Sequence, residues 1–208
     1  MTPSSDFVTV VSGLPRSGTS MMMRMLEAGG VAPVVDGFRE ANDDNPMGYY
    51  EFEPVKALDA DRSWVTTAQG KAVKVIYKLV YDLPMDVQYK VLLMRRDIVE
   101  VVKSQEKMLV NDGRDPGIEA RDMLVGLFQK EMSAFGGWAA AQDNIEIHDV
   151  DYAGVVRDPQ KAAEEIATWL GRDLETRAMA EVVSPDLYRN RAGHPRRALP
   201  NGGRPRKN

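Results

Sequence analysis

The sequence predicts a three-layer α/β fold in which helices flank a mainly parallel central sheet. Two short apolar runs, 7–11 and 91–94, are typical of strands that are buried on both faces. Stretches with helical spacing of apolar residues alternate with such runs, and this alternation favours parallel strand pairing. We therefore predict one domain over residues 1–188, followed by a tail over 189–208.

The elements of the N-terminal part follow from local patterns. The strand over 7–11 leads into a helix over 21–28, whose four methionines we interpret as adaptable core. Residues 31–50 contain two prolines and two glycines and have little periodicity, which predicts an irregular segment. A helix is expected within 54–61, and a second strand is expected over 72–77.

The middle of the chain predicts a third strand and two helices. The strand over 91–94 stops at a pair of arginines, and Asp97 opens the helix that follows. Residues 111–117 are expected to form a loop. A long helix is predicted over 118–141, bent or broken near its glycine pair at 136–137.

The C-terminal part carries clearer start and stop signals. Alternation of apolar and polar residues over 145–150 predicts a half-buried strand or a sheet edge. Asp158 is followed by proline and has the form of a helix N-cap. Gly171 is a natural helix end because glycine adopts the left-handed conformation easily. A last helix is predicted over 175–183.

The composition is that of an ordinary globular chain, with 43% hydrophobic and 28% charged residues. The absence of cysteine excludes disulfides and thiolate metal sites and is compatible with a reducing compartment. No apolar stretch approaches the length of a membrane span, and the N-terminus has no signal-like run. We therefore expect a cytoplasmic protein without a membrane partner.

The net charge of −4 is unevenly distributed. The tail over 189–208 has seven basic and no acidic residues, so the remaining 20 basic and 31 acidic residues give the body a charge of −11. An acidic body argues against general nucleic-acid binding. The tail is interpreted as a flexible solvated end; the alternative is that it folds back over a phosphate or docks on the acidic body.

The turn between the first strand and the first helix has the composition of a phosphate cradle. Gly13 and Gly18 allow the backbone to approach an anion closely, and Arg16 places a cation inside the turn. The N–H groups and hydroxyls at the start of the helix supply further donors. The candidate anion-binding residues of this loop are Arg16, Ser17, Gly18, Thr19 and Ser20.

The spacing of Gly13 and Gly18 is similar to that of a Walker A loop and makes the predicted fold P-loop-like. However, Thr19 stands where a P-loop kinase has the lysine that reaches the β- and γ-phosphates. A degenerate kinase loop is therefore one alternative. An ordinary glycine-rich turn with a solvated arginine is the other.

A second candidate anion site follows the strand over 91–94. Arg96 stands at the carboxyl end of that strand, where open α/β sheets bind their ligands. Ser104 lies eight residues later, about two turns into the next helix, and can reach the same anion. The alternative is a helix-start arginine with a solvated charge.

These motifs resemble those of sulfotransferases that use PAPS (3′-phosphoadenosine 5′-phosphosulfate). Residues 15–20, Pro-Arg-Ser-Gly-Thr-Ser, resemble the 5′-phosphosulfate loop of that family. The pair Arg96–Asp97 followed by Ser104 is similar to its 3′-phosphate motif. The match covers most of residues 7–171 in the order of the family.

Later segments extend the resemblance. Residues 151–159 and 167–171 look like the family's strand–loop–helix unit, although Ala153 stands where the family usually has glutamate. The stretch 45–51, Asn-Pro-Met-Gly-Tyr-Tyr-Glu, is similar to a segment of bacterial sulfotransferases. The resemblance implies that Tyr152 lies against the bound nucleotide.

The resemblance also implies the chemistry. A sulfuryl group would pass in line from PAPS to a hydroxyl or amine of the acceptor, leaving PAP (adenosine 3′,5′-bisphosphate). Arg16 and the loop amides would hold the 5′-phosphosulfate and stabilise the leaving phosphate, and Arg96 with Ser104 would hold the 3′-phosphate. No metal is implied, because amides and cations meet the charge of the donor.

The general base is less well defined than the donor site. The family uses either a histidine after the second strand or a glutamate after the first helix, and this chain has no histidine within 74–78. That favours Glu40, with Glu51 as the second candidate and an exposed surface carboxylate as the alternative. Lys74 is a candidate cation near the transferred group, or else a surface lysine. His148 is interpreted as structural.

Two other functions stay open at the level of sequence. A P-loop nucleotide or small-molecule kinase would bind ATP with magnesium. A non-catalytic regulator would bind PAP without any transfer. The acceptor is expected to be a small molecule or a glycan, in a pocket shaped by 31–70 and 111–140; neither its identity nor the oligomeric state follows from the sequence.

Overall fold

The computed structural model describes residues 7–37, 50–111, 113 and 119–184. The predicted tail over 189–208 lies outside these ranges. Among the described residues, every helix is too short or too polar to cross a membrane.

The centre of the fold is a parallel sheet of four strands, which confirms the predicted α/β class. The strand order is β2-β1-β3-β4, and each neighbouring pair runs in the same direction. All carboxyl ends therefore meet at one edge of the sheet, where such folds bind ligands. The strands are β1 (Phe7–Gly13), β2 (Ala72–Lys74), β3 (Gln88–Arg95) and β4 (Ile145–Asp151).

Seven α-helices are present among the described residues, and two short 3₁₀ helices, Glu53–Ala57 and Val65–Ala68, precede β2. The α-helices lie on both sides of the sheet, because strands connected in parallel need crossovers that cover its faces. They are α1 (Thr19–Ala28), α2 (Tyr77–Val80), α3 (Ile98–Asn111), α4 (Glu119–Ala139), α5 (Tyr152–Arg157), α6 (Pro159–Leu170) and α7 (Thr176–Glu181).

The three predicted layers are confirmed by the alternation of buried residues along β1. Val10 faces a core that contains Phe135 of α4, whereas Val11 faces a second core that contains the methionines of α1 and Met179 of α7. Both valines are fully buried. The prediction that the central strands are covered on both faces is therefore confirmed.

Several local predictions are confirmed. The four methionines of α1 are buried and belong to one core. The Asp158 carboxylate accepts a hydrogen bond from the N–H of Lys161 and so caps α6. Gly171 ends that helix with a φ of 67°. The strand predicted from alternation, β4, lies at the edge of the sheet.

Other boundaries differ from the predictions. The second strand ends at Lys74, and α2 begins at Tyr77 within the predicted strand. The helix predicted within 54–61 is a 3₁₀ turn. The α4 helix continues through its two glycines without a break, because Phe135 and its neighbours pack on the core and outweigh the low helix propensity of glycine.

Candidate functional site

The loop between β1 and α1 has glycine where no other residue fits. At Gly13, with a φ of 145°, an added Cβ would lie 2.6 Å from the Ser17 Oγ and 2.9 Å from the Met94 carbonyl oxygen. At Gly18, with a φ of 104°, it would lie 2.4 Å from a ring carbon of Tyr152. The loop is therefore held tightly between the end of β3 and the start of α5.

The same loop contains strained and unsatisfied groups. Arg16 has a φ of 74°, in the left-handed region that residues with a Cβ rarely adopt. The Ser17 hydroxyl is buried and has no hydrogen-bond partner among the described residues. Gly18 is the N-cap of α1 and has no side chain, so it cannot cap the first N–H groups of that helix. Strain and unused donors of this kind are typical of ligand sites.

Three arginines converge on Tyr152, and we call Arg16, Arg24, Arg96 and Tyr152 the basic cluster. The guanidinium carbon of Arg96 lies 4.6 Å from the centre of the Tyr152 ring. Electrostatic interactions with all three arginines lower the pKa of Tyr152, but burial has the larger effect and raises it. Tyr152 therefore keeps its hydroxyl proton and is a neutral donor.

Arg96 connects the basic cluster to the loop. Its Nη1 donates a hydrogen bond of 3.2 Å to the carbonyl oxygen of Arg16, and its Nε donates one of 3.1 Å to the buried carboxylate of Glu100. Glu100 is 2% exposed. Because these two hydrogen bonds fix the orientation of the Arg96 guanidinium, its other N–H groups point in a defined direction. This orientation suits recognition of a planar or anionic group.

Residues in the middle of α3 also hold the loop. Arg16 Nε donates to the Ser104 Oγ at 3.1 Å, and the Gln105 amide donates to the Pro15 carbonyl oxygen at 3.1 Å. Ser104 was predicted to act with Arg96, whereas its hydroxyl here contacts Arg16. Since Arg96 itself contacts the backbone of Arg16, the two predicted anion sites form one continuous surface.

A second group of charged residues surrounds the end of β2. Lys74 Nζ lies 3.8 Å from the Glu51 Oε1, and both side chains are mostly buried. On α2, the Tyr77 hydroxyl donates to the Glu131 carboxylate of α4, and Lys78 Nζ lies 3.1 Å from the same carboxylate. We call these five residues the paired cluster, because each lysine faces a glutamate.

The hydrogen bond within the paired cluster shifts the pKa values of both partners. The bond from Tyr77 and the charge of Lys78 lower the pKa of Glu131. Burial and the adjacent carboxylate raise the pKa of Tyr77. Glu131 is therefore ionised and Tyr77 is neutral near pH 7, so neither is prepared to exchange a proton at that pH.

The remaining predicted residues are placed as follows. Glu40 and residues 45–49 lie outside the described residues, so their predicted roles are not tested. Thr19 and Ser20 begin α1 at the loop. His148 lies on β4 and stacks on Trp169, with the two ring centres 5.1 Å apart, which fits a structural role. Among the described residues, no group of three His, Asp or Glu side chains is arranged to hold a metal ion.

Two residues of the site were missed by the sequence analysis. Arg24 stands among the methionines of α1, and a charged residue in an otherwise buried helix face was the available signal. Glu100 follows Arg96 by four residues, the spacing of a helical ion pair, and its N–H is bonded to the Asp97 carboxylate. Both are more than nine-tenths buried.

Comparison with known proteins supports the fold. No family model matches the sequence, and no curated protein matches it. A solved structure described as the sulfotransferase domain from the curacin biosynthetic pathway has a similar fold, with a TM-score of 0.51 and 13% sequence identity. The match covers 91% of this chain and 93% of that one. The chain thus has the fold of a sulfotransferase domain, with a parallel sheet flanked by helices.

Proposed function

We propose that this protein is a sulfotransferase that uses PAPS as donor and a hydroxyl or amine of a small molecule or glycan as acceptor. The observation that carries the proposal is the convergence of Arg16, Arg24 and Arg96 on Tyr152 beside the N-terminus of α1. Guanidinium groups and helix N-termini both attract anions. A ligand with several phosphate or sulfate groups matches this concentration of positive charge.

The residues of the loop fit such a ligand. The Ser17 hydroxyl is a buried donor without a partner among the described residues, and the start of α1 has no side-chain cap from Gly18. We propose that these groups and Arg16 hold the 5′-phosphosulfate. Arg96 and Ser104, at the other end of the same surface, are proposed to hold the 3′-phosphate. When bound, PAPS supplies the activated sulfuryl group and a phosphate as the leaving group.

The acceptor must lose a proton as it is sulfated. The new bond joins the acceptor oxygen or nitrogen to sulfur, the bond from sulfur to the phosphate oxygen breaks, and the acceptor proton passes to a carboxylate. Glu40 is the first candidate for that base and Glu51 the second. Lys74, 3.8 Å from Glu51, is proposed to stabilise charge on the transferred group.

The first experiment compares thermal unfolding with PAP and, separately, with ATP and magnesium. A ligand present at one hundred times its Kd adds about 2.7 kcal/mol to the free energy of unfolding. For a chain of this size, that raises Tm by about 5–10 °C. We expect this shift with PAP. A shift with ATP and magnesium but none with PAP would favour the kinase and overturn the proposal.

Two variants connect that shift to the site. Arg96→Ala should reduce the shift caused by PAP, because it removes a donor to the bound anion. Arg177→Ala is the matched control, since Arg177 is 89% exposed on α7 and pairs there with Glu181. Equal shifts in both variants would eliminate Arg96 as a nucleotide-binding residue.

The base is tested by turnover after substitution of one carboxylate at a time. Glu40→Gln is expected to lower kcat by about 10²–10⁴-fold, the usual contribution of a general base. Glu51→Gln is the second variant, and Glu53→Gln is the control, because Glu53 is exposed and pairs locally with Lys56. Full turnover of Glu40→Gln with loss in Glu51→Gln would transfer the assignment to Glu51.

A further inference from the structure

Arg24 is a buried cation of the basic cluster to which the proposed donor site assigns no contact with the ligand. Its side chain stands in the middle of α1 and the residue is 8% exposed. The Nε and Nη1 atoms are buried and have no hydrogen-bond partner among the described residues. A guanidinium carries its charge at all ordinary pH values, so burial without partners is costly. Such a residue requires an explanation.

Packing alone does not provide that explanation. The surrounding positions of α1 are methionines, and methionine at position 24 would fill similar volume without a charge. Glu27, one turn further along α1, accepts a hydrogen bond from the Tyr50 hydroxyl instead of pairing with Arg24. Burial lowers the pKa of Arg24, in agreement with a charge that its surroundings do not fully stabilise.

The position of Arg24 on α1 directs it toward the loop. Helical side chains point back toward the N-terminus, so Arg24 covers the surface above Ser20, four residues earlier. Its electrostatic partners are Tyr50 and Tyr152. The Tyr152 ring touches the loop at Gly18, where an added Cβ would be 2.4 Å away. Arg24 therefore lies on α1 close to the tyrosine that packs against the loop.

We infer that Arg24 is a further ligand-binding residue of this site, and that its free donors bind the anionic group at the 5′ end of the nucleotide. The inference rests on the proposed nucleotide site. In the complex, the phosphate oxygens would supply the acceptors that Nε and Nη1 lack among the described residues. The buried charge would then be stabilised only when ligand is bound, which couples the stability of α1 to occupancy.

The experiment measures binding of three nucleotides by calorimetry in the wild type and in Arg24→Met. The nucleotides are PAP, adenosine 5′-phosphate and adenosine 3′-phosphate. A charge-assisted contact contributes about 1.5–3 kcal/mol, so loss of Arg24 should weaken binding of PAP and of adenosine 5′-phosphate by about 10- to 100-fold. Binding of adenosine 3′-phosphate should be unchanged, and Arg24→Lys should lie between the wild type and Arg24→Met.

A control separates the local effect from a change of net charge. Arg157 lies on α5, near Tyr152 in sequence, and its side chain is 78% exposed. Arg157→Met removes the same charge without removing a buried donor, and its affinities should remain within about twofold of the wild type. An equal loss in both variants would attribute the effect to overall charge and overturn the inference.

The stability of the ligand-free protein supplies an independent readout. If Arg24 serves a ligand, Arg24→Met removes an unpaired buried charge and its Tm without ligand should equal or exceed that of the wild type. A lower Tm would make Arg24 a structural residue and overturn the inference. Equal weakening of all three nucleotides would move the contact to the base or ribose and also overturn it. Failure of the wild type to bind PAP would instead refute the proposed function itself.

Discussion

The basic cluster and the paired cluster both lie near carboxyl ends of the sheet, but they treat charge in opposite ways. In the basic cluster, three arginines interact with one tyrosine, and the buried donors of Arg24 and of the adjacent Ser17 have no partners among the described residues. In the paired cluster, Lys74 faces Glu51 and Lys78 faces Glu131. The difference indicates that the basic cluster is the region suited to binding an anionic donor.

A charge that is matched within the protein contributes to the folded state and binds an anionic ligand less strongly than an unmatched charge does. A buried donor without a partner lowers stability, and it persists where a bound group compensates for it. Ser17 and Arg24 have this second character, whereas Glu100 balances the charge of Arg96. In the paired cluster, each lysine is balanced by a glutamate. Adding volume at the loop, or removing the carboxylate that balances Arg96, should therefore lower the free energy of unfolding more than comparable changes in the paired cluster.

The largest effect is expected from Gly18→Ala. The new Cβ would meet the Tyr152 ring, which also contacts the Arg96 guanidinium, and the φ of 104° disfavours any residue with a Cβ. Strain and overpacking together should lower the free energy of unfolding by about 2–5 kcal/mol. Urea denaturation measures this loss, and binding of PAP should decrease as well.

Gly30→Ala is the matched control for that change. Gly30 follows α1, has a similar φ of 97°, and has open space where a Cβ would be placed. The free energy of unfolding of Gly30→Ala should therefore fall only by the cost of backbone strain, about 1–2 kcal/mol. If both variants lost the same stability, contact with Tyr152 would contribute nothing, and the tight assembly of the basic cluster would be refuted.

The same Glu→Gln substitution, made once beside the basic cluster and once in the paired cluster, provides the next test. Glu100→Gln removes the buried carboxylate that pairs with Arg96, and should cost about 2–3 kcal/mol because a buried cation loses its counter-charge. Glu131→Gln should cost less than about 1 kcal/mol, since its partner Lys78 is 57% exposed. Urea denaturation at pH 7 compares the two.

Ligand binding should distinguish these variants further. A phosphate bound beside Arg96 replaces the charge that Glu100→Gln removes, so saturating PAP should recover part of the lost stability. No such recovery is expected for Glu131→Gln, which lies in the paired cluster. Identical behaviour of the two variants with PAP would contradict the assignment of Arg96 to the nucleotide site.

Tyr77→Phe is expected to have a smaller effect that depends on pH. Removing the bond to Glu131 should cost about 1 kcal/mol at pH 7. The pKa of Glu131 is lowered in the folded protein, so the bond contributes fully above the ordinary value of 4.5 and is lost as pH falls through the lowered value. Between pH 7 and pH 3, the free energies of unfolding of the wild type and Tyr77→Phe should converge. A difference that stays constant over this range would contradict the prediction.

The sequence was sufficient for the features that depend on local patterns. The loop from Gly13 to Gly18 was recognisable because glycines, a cation and hydroxyls occur in one short stretch between a strand and a helix. The caps at Asp158 and Gly171 were recognisable for the same reason. Parallel pairing followed from the alternation of strands and helices.

Features that depend on distant contacts were not predicted. The bond between Arg16 and Ser104 joins residues 88 positions apart, and nothing in either segment specifies it. The α4 helix kept its two glycines because packing of Phe135 outweighed local propensity. Arg24 was overlooked because its importance depends on which residues cover α1, and that depends on the whole fold.

The smallest effect concerns the ion pair of Lys74 and Glu51. Both side chains are mostly buried, at 10% and 22% exposure, so a double-mutant cycle with Lys74→Met and Glu51→Gln should give a coupling of about 0.5–1 kcal/mol. The exposed pair of Lys161 and Glu165 should give about 0.3 kcal/mol in the same cycle. Because burial reduces screening by solvent, the difference should persist in high salt. A coupling no larger than that of the exposed pair would mean that Glu51 does little to stabilise Lys74 in the folded protein. Lys74 would then be as available to an anionic ligand as the arginines of the basic cluster.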